Sequence, residues 1–198
     1  MATKLVLIRH GTTDCNRQKR YCGYKDVSLS REGRAQAAHL SQRLKYLKFD
    51  RIYCSDRKRC LQTARIIFDR KRIIKVKDLR EINFGVLEGL RHKEIVKKYG
   101  GIYEKWLVNP FKNHIPRVEA MNAFKRRVQR SIKKIVCRNP GKTIAVICHG
   151  GVIGVYVSGI LKSNDFWRYI PGAASMTLVE CLKGKPRLKK FNIAAQAH

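Results

Sequence analysis

Short aliphatic runs and helix-spaced apolar residues alternate along the chain. Four apolar runs bounded by polar residues have the length of buried strands, at residues 5–8, 51–54, 73–76 and 143–148. Other apolar residues recur three or four positions apart, as on one helix face: Ala37, Leu40, Leu44 and Leu47 after the potential cap Ser30, then Cys60, Ala64 and Ile67, and later Met121, Phe124, Val128, Ile132 and Ile135. This pattern predicts strands separated by helices.

Two further strands are predicted near the C-terminus, at residues 176–182 and 188–193, on either side of a turn. Helices that separate strands cover both faces of a sheet. We therefore expect one α/β domain over residues 1–198, with three layers (α/β/α) and a mostly parallel central sheet. The apolar segment 144–161 changes from strand to helix period around His149, so we predict a strand, a turn and a helix there, not a membrane span.

A segment rich in aromatic residues follows a short helix predicted over 91–99. It covers residues 100–117 and shows no clear period. One interpretation is a surface loop that is packed by its own side chains. The other, which we adopt as the expectation, is a loop that covers the substrate.

The net charge of +30, from 44 basic and 14 acidic residues, changes the expected partners. The excess is spread along the chain and forms no basic tail, which favours a surface that attracts anions in general. Such a surface also allows non-specific, electrostatic binding of nucleic acid. Self-association is possible, and we expect no membrane partner.

Seven cysteines are scattered through apolar surroundings. None forms a Cys-x-x-Cys pair, and none has zinc-finger spacing with histidine. We therefore expect reduced thiols, no metal site, no cofactor and a cytoplasmic location.

Polar residues follow each predicted parallel strand at its C-terminal end. Arg9 and His10 follow the first strand, Arg59 lies after the second, and Glu81 comes after the third. His149 and Gly150 follow the fourth. A doubly wound sheet brings these ends together in one crevice. Two arginines suit phosphate oxygens, a glycine-rich helix start can bind the same anion, an imidazole can act as nucleophile and a carboxylic acid can protonate a leaving alkoxide.

The same residues carry a resemblance to the histidine phosphatase superfamily, the phosphoglycerate-mutase-like group. Five blocks match in order and spacing over about residues 5–160: Leu7-Ile8-Arg9-His10-Gly11-x-Thr13-x-x-Asn16, Gly23-x-x-Asp26-x-x-Leu29-Ser30-x-x-Gly33-x-x-Gln36-Ala37, Ser55-x-x-x-Arg59-x-x-Gln62-Thr63-Ala64, Leu79-x-Glu81-x-Asn83-Phe84-Gly85-x-x-Glu88-Gly89 and Val146-x-Cys148-His149-Gly150-Gly151. Each block alone is weak, but five in order are specific.

The resemblance implies a role for each matching residue. His10 is the nucleophile that forms a phosphohistidine, and Glu81 is the proton donor to the leaving group. The residues implied to hold the phosphoryl group are Arg9, Asn16, Arg59, His149 and the Gly150 amide. No metal takes part in this scheme. Glu88 is expected to be a structural contact at the turn over 85–89.

Three departures from the family pattern leave the substrate open. Asp56-Arg57 stands where Pro-Leu is common, Val118-Glu119-Ala120 stands for Gly-Glu-Ser, and Leu87 replaces an aromatic residue. None removes a group that the chemistry needs. Arg57 fits a multiply charged substrate or a solvent-exposed position.

Three functions remain in competition. The short chain and the block around Asn83 resemble the α-ribazole-phosphate phosphatase branch, which also holds phosphoserine and broad-specificity phosphatases, so we expect a phosphomonoesterase acting on a small metabolite. The second is a phosphoglycerate mutase, which would protect the phosphohistidine from water. The third, from another class, is a basic nucleic-acid-binding protein that retains the fold without activity.

Overall fold

The protein is described here by a computed structural model, which covers residues 1–69 and 71–194. The last four residues of the predicted domain lie outside the described part. The strands are β1 (Thr3–Arg9), β2 (Arg51–Cys54), β3 (Ile73–Lys75), β4 (Thr143–Cys148), β5 (Met176–Leu182) and β6 (Lys185–Ile193). The helices are α1 (Asp14–Arg17), α2 (Arg31–Leu44), α3 (Lys58–Phe68), α4 (His92–Val108), α5 (Met121–Cys137) and α6 (Gly150–Ile160).

One six-stranded sheet has the order β3-β2-β4-β1-β5-β6. The first four strands in this order are parallel, whereas β5 and β6 are antiparallel to their neighbours. The central strands β1 and β4 are covered on both faces, which explains their continuous aliphatic runs. The predicted α/β fold with a mostly parallel sheet is confirmed, and the antiparallel edge makes the sheet mixed.

Successive residues of β1 point into two cores on opposite faces of the sheet. Leu5 and Leu7 pack in the larger core with residues of α4, α5 and α6. Val6 and Ile8 pack in the smaller core with residues of α2 and α3. All four side chains are at most 4% exposed, so β1 is fixed from both sides and its C-terminal end is held firmly.

The segment predicted to be irregular from residue 100 begins as helix, and this part of the prediction is wrong. α4 continues to Val108 through a kink at Gly100, where φ is 43° and ψ is −126°. Tyr103 and Trp106 are buried in the larger core. Gly100-Gly101 interrupts the helical pattern in the sequence, but burial of the two aromatic rings outweighs the helix cost of glycine.

The apolar segment 144–161 divides into β4 and α6, as predicted from its change of period. Within residues 1–69 and 71–194, no helix combines the length and the apolar character needed to cross a membrane. α2 ends at Leu44, and Leu47 beyond it is 47% exposed, so its helical spacing overstated the length of the helix.

Gly33 gives a test of the close contact between α2 and the loop after β1. A Cβ atom at Gly33 would lie 2.0 Å from the carbonyl oxygen of Thr12 and 2.7 Å from its nitrogen. Because backbone cannot move away cheaply, we expect Gly33→Ala to lower the free energy of unfolding by about 1–3 kcal/mol or more, measured by urea denaturation. Gly101→Ala is the control, since a Cβ there meets nothing within 4 Å. Equal stability of the two variants would contradict the proposed backbone contact.

Candidate active site

His10 follows β1 and is almost fully buried, with 4% exposure. Its Nδ1 lies 2.7 Å from the carbonyl oxygen of Gly11. Because a carbonyl only accepts, Nδ1 carries the hydrogen and Nε2 keeps its lone pair. Burial, together with the positive charges of Arg59 and Arg9, lowers the pKa of His10 well below its usual value. His10 is therefore a neutral imidazole with one nucleophilic nitrogen.

His149 follows β4 and caps α6. Its Nδ1 is 3.3 Å from Nε of Arg59, and its Nε2 is 2.9 Å from Oγ of Ser55. A guanidinium only donates, so Nδ1 accepts and Nε2 donates to the Ser55 hydroxyl. Burial and then Arg59 lower the pKa of His149 well below its usual value. The His10 and His149 rings lie edge to face with centroids 5.2 Å apart.

Arg59 is 1% exposed and is held by backbone oxygens. It donates to the carbonyl of Gly23 at 2.7 Å and to that of Lys25 at 2.9 Å. Thr63, one turn later in α3, donates to the Arg59 carbonyl and accepts from the Gly11 amide. These bonds fix a buried positive charge beside both imidazoles.

The loop that holds Arg59 is itself held by Glu88. The Glu88 carboxylate accepts from the amides of Gly23 at 3.1 Å, Tyr24 at 2.7 Å and Phe84 at 3.3 Å. Glu88 is thus a structural contact, as expected, and it acts through the loop carbonyls that bind the guanidinium.

Arg9 ends β1 and donates to the carbonyl of Pro171. Its Nε is buried and has no hydrogen-bond partner among the described residues. A Cβ atom at Gly150 would lie 3.2 Å from Cζ of Arg9, so glycine lets the start of α6 approach the guanidinium. Burial lowers the pKa of Arg9, and the nearby Glu81 carboxylate opposes that shift.

Glu81 lies opposite the start of α6. Its Oε2 accepts from the Gly151 amide at 2.9 Å and its Oε1 from the Ile82 amide at 3.0 Å. Burial raises the pKa of Glu81, against the opposing effects of these bonds and the two arginines. A Cβ atom at Gly151 would lie 2.3 Å from Oε1, so this contact requires glycine.

Arg127 positions Glu81 and was missed by the sequence analysis. It donates to the carbonyls of Asp78 at 2.9 Å, Arg80 at 2.7 Å and Glu81 at 2.8 Å. Both Glu119 oxygens accept from the same guanidinium, at 2.7 and 2.8 Å. Glu119, which keeps the glutamate of the family's Gly-Glu-Ser, was the available signal, but the spacing along the sequence does not identify Arg127 as its partner.

A cavity of about 260 Å³ opens beside this cluster. Four of the predicted residues line it, namely Arg9, Asn16, Glu81 and Gly150, whereas His10, Arg59 and His149 are buried and do not. Asn16 accepts from the Thr13 amide and hydroxyl through Oδ1, which leaves its NH₂ group as a donor. The remaining lining is largely aromatic or aliphatic.

The departures from the family pattern lie outside the cavity lining. Arg57 stacks on Tyr24, with Cζ 4.9 Å from the ring centroid, and Asp56 pairs with Arg80 at 2.5 Å. Among the described residues, no group of three or more His, Cys, Asp or Glu side chains could hold a metal ion.

The fold and the arrangement of the site residues together define a class of protein. It is an α/β protein with a neutral imidazole that keeps one lone pair, a buried guanidinium group, a second guanidinium group at the cavity and a carboxyl group of raised pKa, all at the C-terminal edge of parallel strands. These groups can bind a phosphoryl group, accept it on nitrogen and exchange a proton with an oxygen.

The chain belongs to the histidine phosphatase superfamily (branch 1), whose family model matches residues 5–194. It is 26% identical to adenosylcobalamin/alpha-ribazole phosphatase of Salmonella typhimurium, over 97% of both chains. It is 28% identical to phosphoserine phosphatase 1 of Hydrogenobacter thermophilus, over 96% of this chain and 92% of that protein. The solved structure of Bacillus stearothermophilus YhfR superposes with a TM-score of 0.92 at 27% identity, over 97% and 98% of the two chains.

The depressed imidazole pKa values predict loss of stability on acidification. Below about pH 6.5 the unfolded chain protonates His10 and His149 while the folded chain does not, so stability falls as the pH decreases. Between about pH 7.5 and 5.5, each imidazole should account for up to about 1.4 kcal/mol of that loss. Urea unfolding at both pH values should show a smaller loss for His10→Asn than for the wild type. Equal losses would mean that His10 titrates normally.

Proposed function

We propose that the protein is a metal-independent phosphomonoesterase that acts through a phosphohistidine on a small phosphorylated metabolite. The observation that carries the proposal is His10: its Nδ1 is occupied by the Gly11 carbonyl, which leaves Nε2 free near the buried Arg59 and the cavity-lining Arg9. Family membership and relatives named as phosphatases support hydrolysis as the reaction.

In the first step, Arg9, Arg59 and the Gly150 amide bind the phosphoryl oxygens. His10 Nε2 attacks phosphorus, so that an N–P bond forms and the bond to the leaving oxygen breaks. Glu81 in its protonated form gives its proton to that oxygen, and the alcohol departs. The raised pKa of Glu81 is a shift in the direction that this role needs, because a proton donor must hold its proton until the leaving oxygen accepts it.

In the second step, water attacks the phosphohistidine. The Glu81 carboxylate takes a proton from the water, the N–P bond breaks, and inorganic phosphate leaves with His10 neutral again. The two guanidinium groups offset the charge on the phosphoryl oxygens through both steps. Arg127 and Glu119 keep Glu81 in place for its two opposite proton transfers.

Segment 100–117 is proposed to cover the substrate with part of a helix and the turns that follow. Trp106 of α4 lines the cavity, and the Leu107 carbonyl accepts from Trp167 Nε1 at 2.8 Å. This limited cover favours hydrolysis over mutase activity, because a mutase must protect the phosphohistidine from water.

A cytoplasmic location and self-association belong to the same proposal, as does non-specific, electrostatic contact with nucleic acid.

The cavity wall supports a substrate whose alcohol carries an apolar, planar ring. Beyond the charged end, the wall is formed largely by Ile82, Phe84, Trp106, Phe166, Trp167 and Ile170. The Phe166 and Trp167 ring centroids lie 4.8 Å apart, and those of Trp106 and Trp167 lie 5.3 Å apart, both edge to face. Burial of an aromatic group of the substrate against such a surface is favourable.

The same wall offers little to a phosphorylated amino acid. Arg20 at the cavity is engaged by the Gly89 carbonyl at 2.7 Å and by Glu94 at 3.3 Å. Lys19 is the other lining cation outside the catalytic cluster and is exposed. A phosphoserine would need partners for both an ammonium and a carboxylate group, so we place the substrate nearer to a ring-bearing phosphate ester than to phosphoserine.

The first test is hydrolysis of p-nitrophenyl phosphate in EDTA. We expect the wild type to turn over and His10→Ala to lose several orders of magnitude in kcat, because the nucleophile is gone. His39→Ala, at an exposed position of α2 that does not line the cavity, is the matched control and should keep full activity. An acid-labile, base-stable phosphoryl adduct in the wild type should be absent from His10→Ala.

Two results would count against this function. Equal activity of wild type and His10→Ala would remove His10 as nucleophile. Mutase activity on 3-phosphoglycerate that depends on 2,3-bisphosphoglycerate and exceeds hydrolysis would establish the mutase instead.

The substrate class is tested with phosphate esters of two primary alcohols. We expect kcat/KM for 2-phenylethyl phosphate to exceed that for O-phosphoserine by roughly tenfold or more. Trp167→Leu should reduce this ratio chiefly through KM, whereas Phe49→Leu, which alters a half-buried ring in the other core, should not. Faster turnover of phosphoserine would refute the substrate class and leave the phosphatase itself intact.

A further inference from the structure

The outer face of α5 is a concentrated cationic surface that the phosphatase reaction does not use. From Met121 to Cys137 the helix contains six basic residues and no acidic one: Lys125, Arg126, Arg127, Arg130, Lys133 and Lys134. Its inner face is apolar and buried, through residues such as Phe124, Val128 and Ile132. The amphipathic pattern therefore separates a packed face from a charged one.

Four of these residues form one exposed row, which we call the α5 basic stripe: Arg126, Arg130, Lys133 and Lys134. Offsets of four, seven and eight residues place them within roughly 100° of one another around the helix axis. Arg127 is excluded from the stripe, because its guanidinium is turned inward to Glu119 and the Glu81 carbonyl. The stripe and the positioning of Glu81 are thus separate uses of one helix.

Acidic side chains do not compensate the stripe. Residues 120–164 contain no Asp or Glu at all. Elsewhere, some basic residues do pair with acids, as in Arg20 with Glu94, Arg80 with Asp56 and Lys189 with Glu180. In the described part of the chain, no ion pair or hydrogen bond joins the side chain of any stripe residue to another protein group. Like charges at helical spacing repel each other, so an external anion would relieve a cost already present in the free protein.

The length and chemistry of the stripe fit a phosphate backbone. Arg126 and Lys133 lie about 10 Å apart along the axis, the distance covered by about three phosphates of one strand in a duplex. A membrane surface fits less well, because the large exposed apolar side chains of the described residues lie on segments other than α5, at Met1, Tyr46, Leu47, Ile102, Val108, Leu161 and Leu182. Peripheral helices usually bury such residues in the bilayer.

We propose that the α5 basic stripe binds the phosphate backbone of duplex nucleic acid without reading its sequence. Charge complementarity supplies the attraction, and release of counterions from the duplex supplies much of the free energy. The stripe residues do not line the cavity beside Glu81, so binding leaves that cavity open. This proposal is independent of the phosphatase activity.

The test compares two variants of equal net charge. The stripe variant carries Arg126→Gln, Arg130→Gln and Lys133→Gln, and glutamine maintains helix propensity. The control variant carries Arg31→Gln, Arg34→Gln and Lys48→Gln, three exposed positions in and after α2 on the opposite face of the sheet. Fluorescence anisotropy with a short labelled DNA duplex measures the dissociation constant between about 50 and 200 mM salt.

We expect the stripe variant to reduce the slope of log K against log salt by about 2.7, since each lost contact removes about 0.9. Its affinity at low salt should fall roughly tenfold or more, while the control variant stays close to the wild type. The melting temperature measured by circular dichroism should not fall, because repulsion within the stripe is reduced. Hydrolysis of p-nitrophenyl phosphate should be unchanged, and the two results together show that the fold is intact.

Two outcomes overturn the proposal. Equal loss of affinity in both variants would mean that net charge alone, and no particular surface, determines binding. Absence of duplex binding by the wild type would also refute it, and a parallel assay with phosphatidylserine vesicles would then show whether the stripe recognises an anionic membrane instead.

Discussion

The buried guanidinium of Arg59 is the constraint on which the site depends. A charge with 1% exposure must be satisfied locally, and here the Gly23 and Lys25 carbonyls and the His149 ring do so. Glu88 holds the loop that presents those carbonyls, and Thr63 joins α3 to Gly11. Burial first, and then repulsion by this positive charge, lower the pKa of both imidazoles and keep them neutral.

The second requirement is a carboxyl group close to two cations that can still hold a proton. Burial favours the neutral form of Glu81, whereas the Gly151 and Ile82 amides and the arginines favour the ionised form. This balance depends on how far the Glu81 carboxyl group lies from those amides and arginines. Residues outside the site set these distances. Arg127 on α5 holds three carbonyls of the preceding turn, and Glu119 holds Arg127. Positioning by remote residues therefore supports the two opposite proton transfers proposed for Glu81.

Periodicity predicted the sheet well and α4 poorly, for one physical reason. The runs that became β1 and β4 are buried on both faces, so their aliphatic residues are consecutive and visible. α4 is interrupted by Gly100, and its buried residues Tyr103 and Trp106 contact partners distant in sequence, such as Tyr21 and Trp167. The helix propensity of a short segment does not reflect such long-range contacts. The aromatic cavity wall, which includes Trp106 and Trp167, could therefore not be predicted from the sequence pattern.

The sequence alone determined that the candidate site residues follow successive predicted strands. Arg9 and His10 come after the first strand, and Arg59, Glu81 and His149 come after the second, third and fourth. That suffices because a parallel sheet brings strand ends to one edge whatever the loops contain. Only the tertiary structure decided which nitrogen of each imidazole is free, what holds Arg59, and that Arg127 belongs to Glu81. These depend on hydrogen bonds between atoms that are far apart in sequence and on burial by several elements at once, quantities that have no local sequence signature.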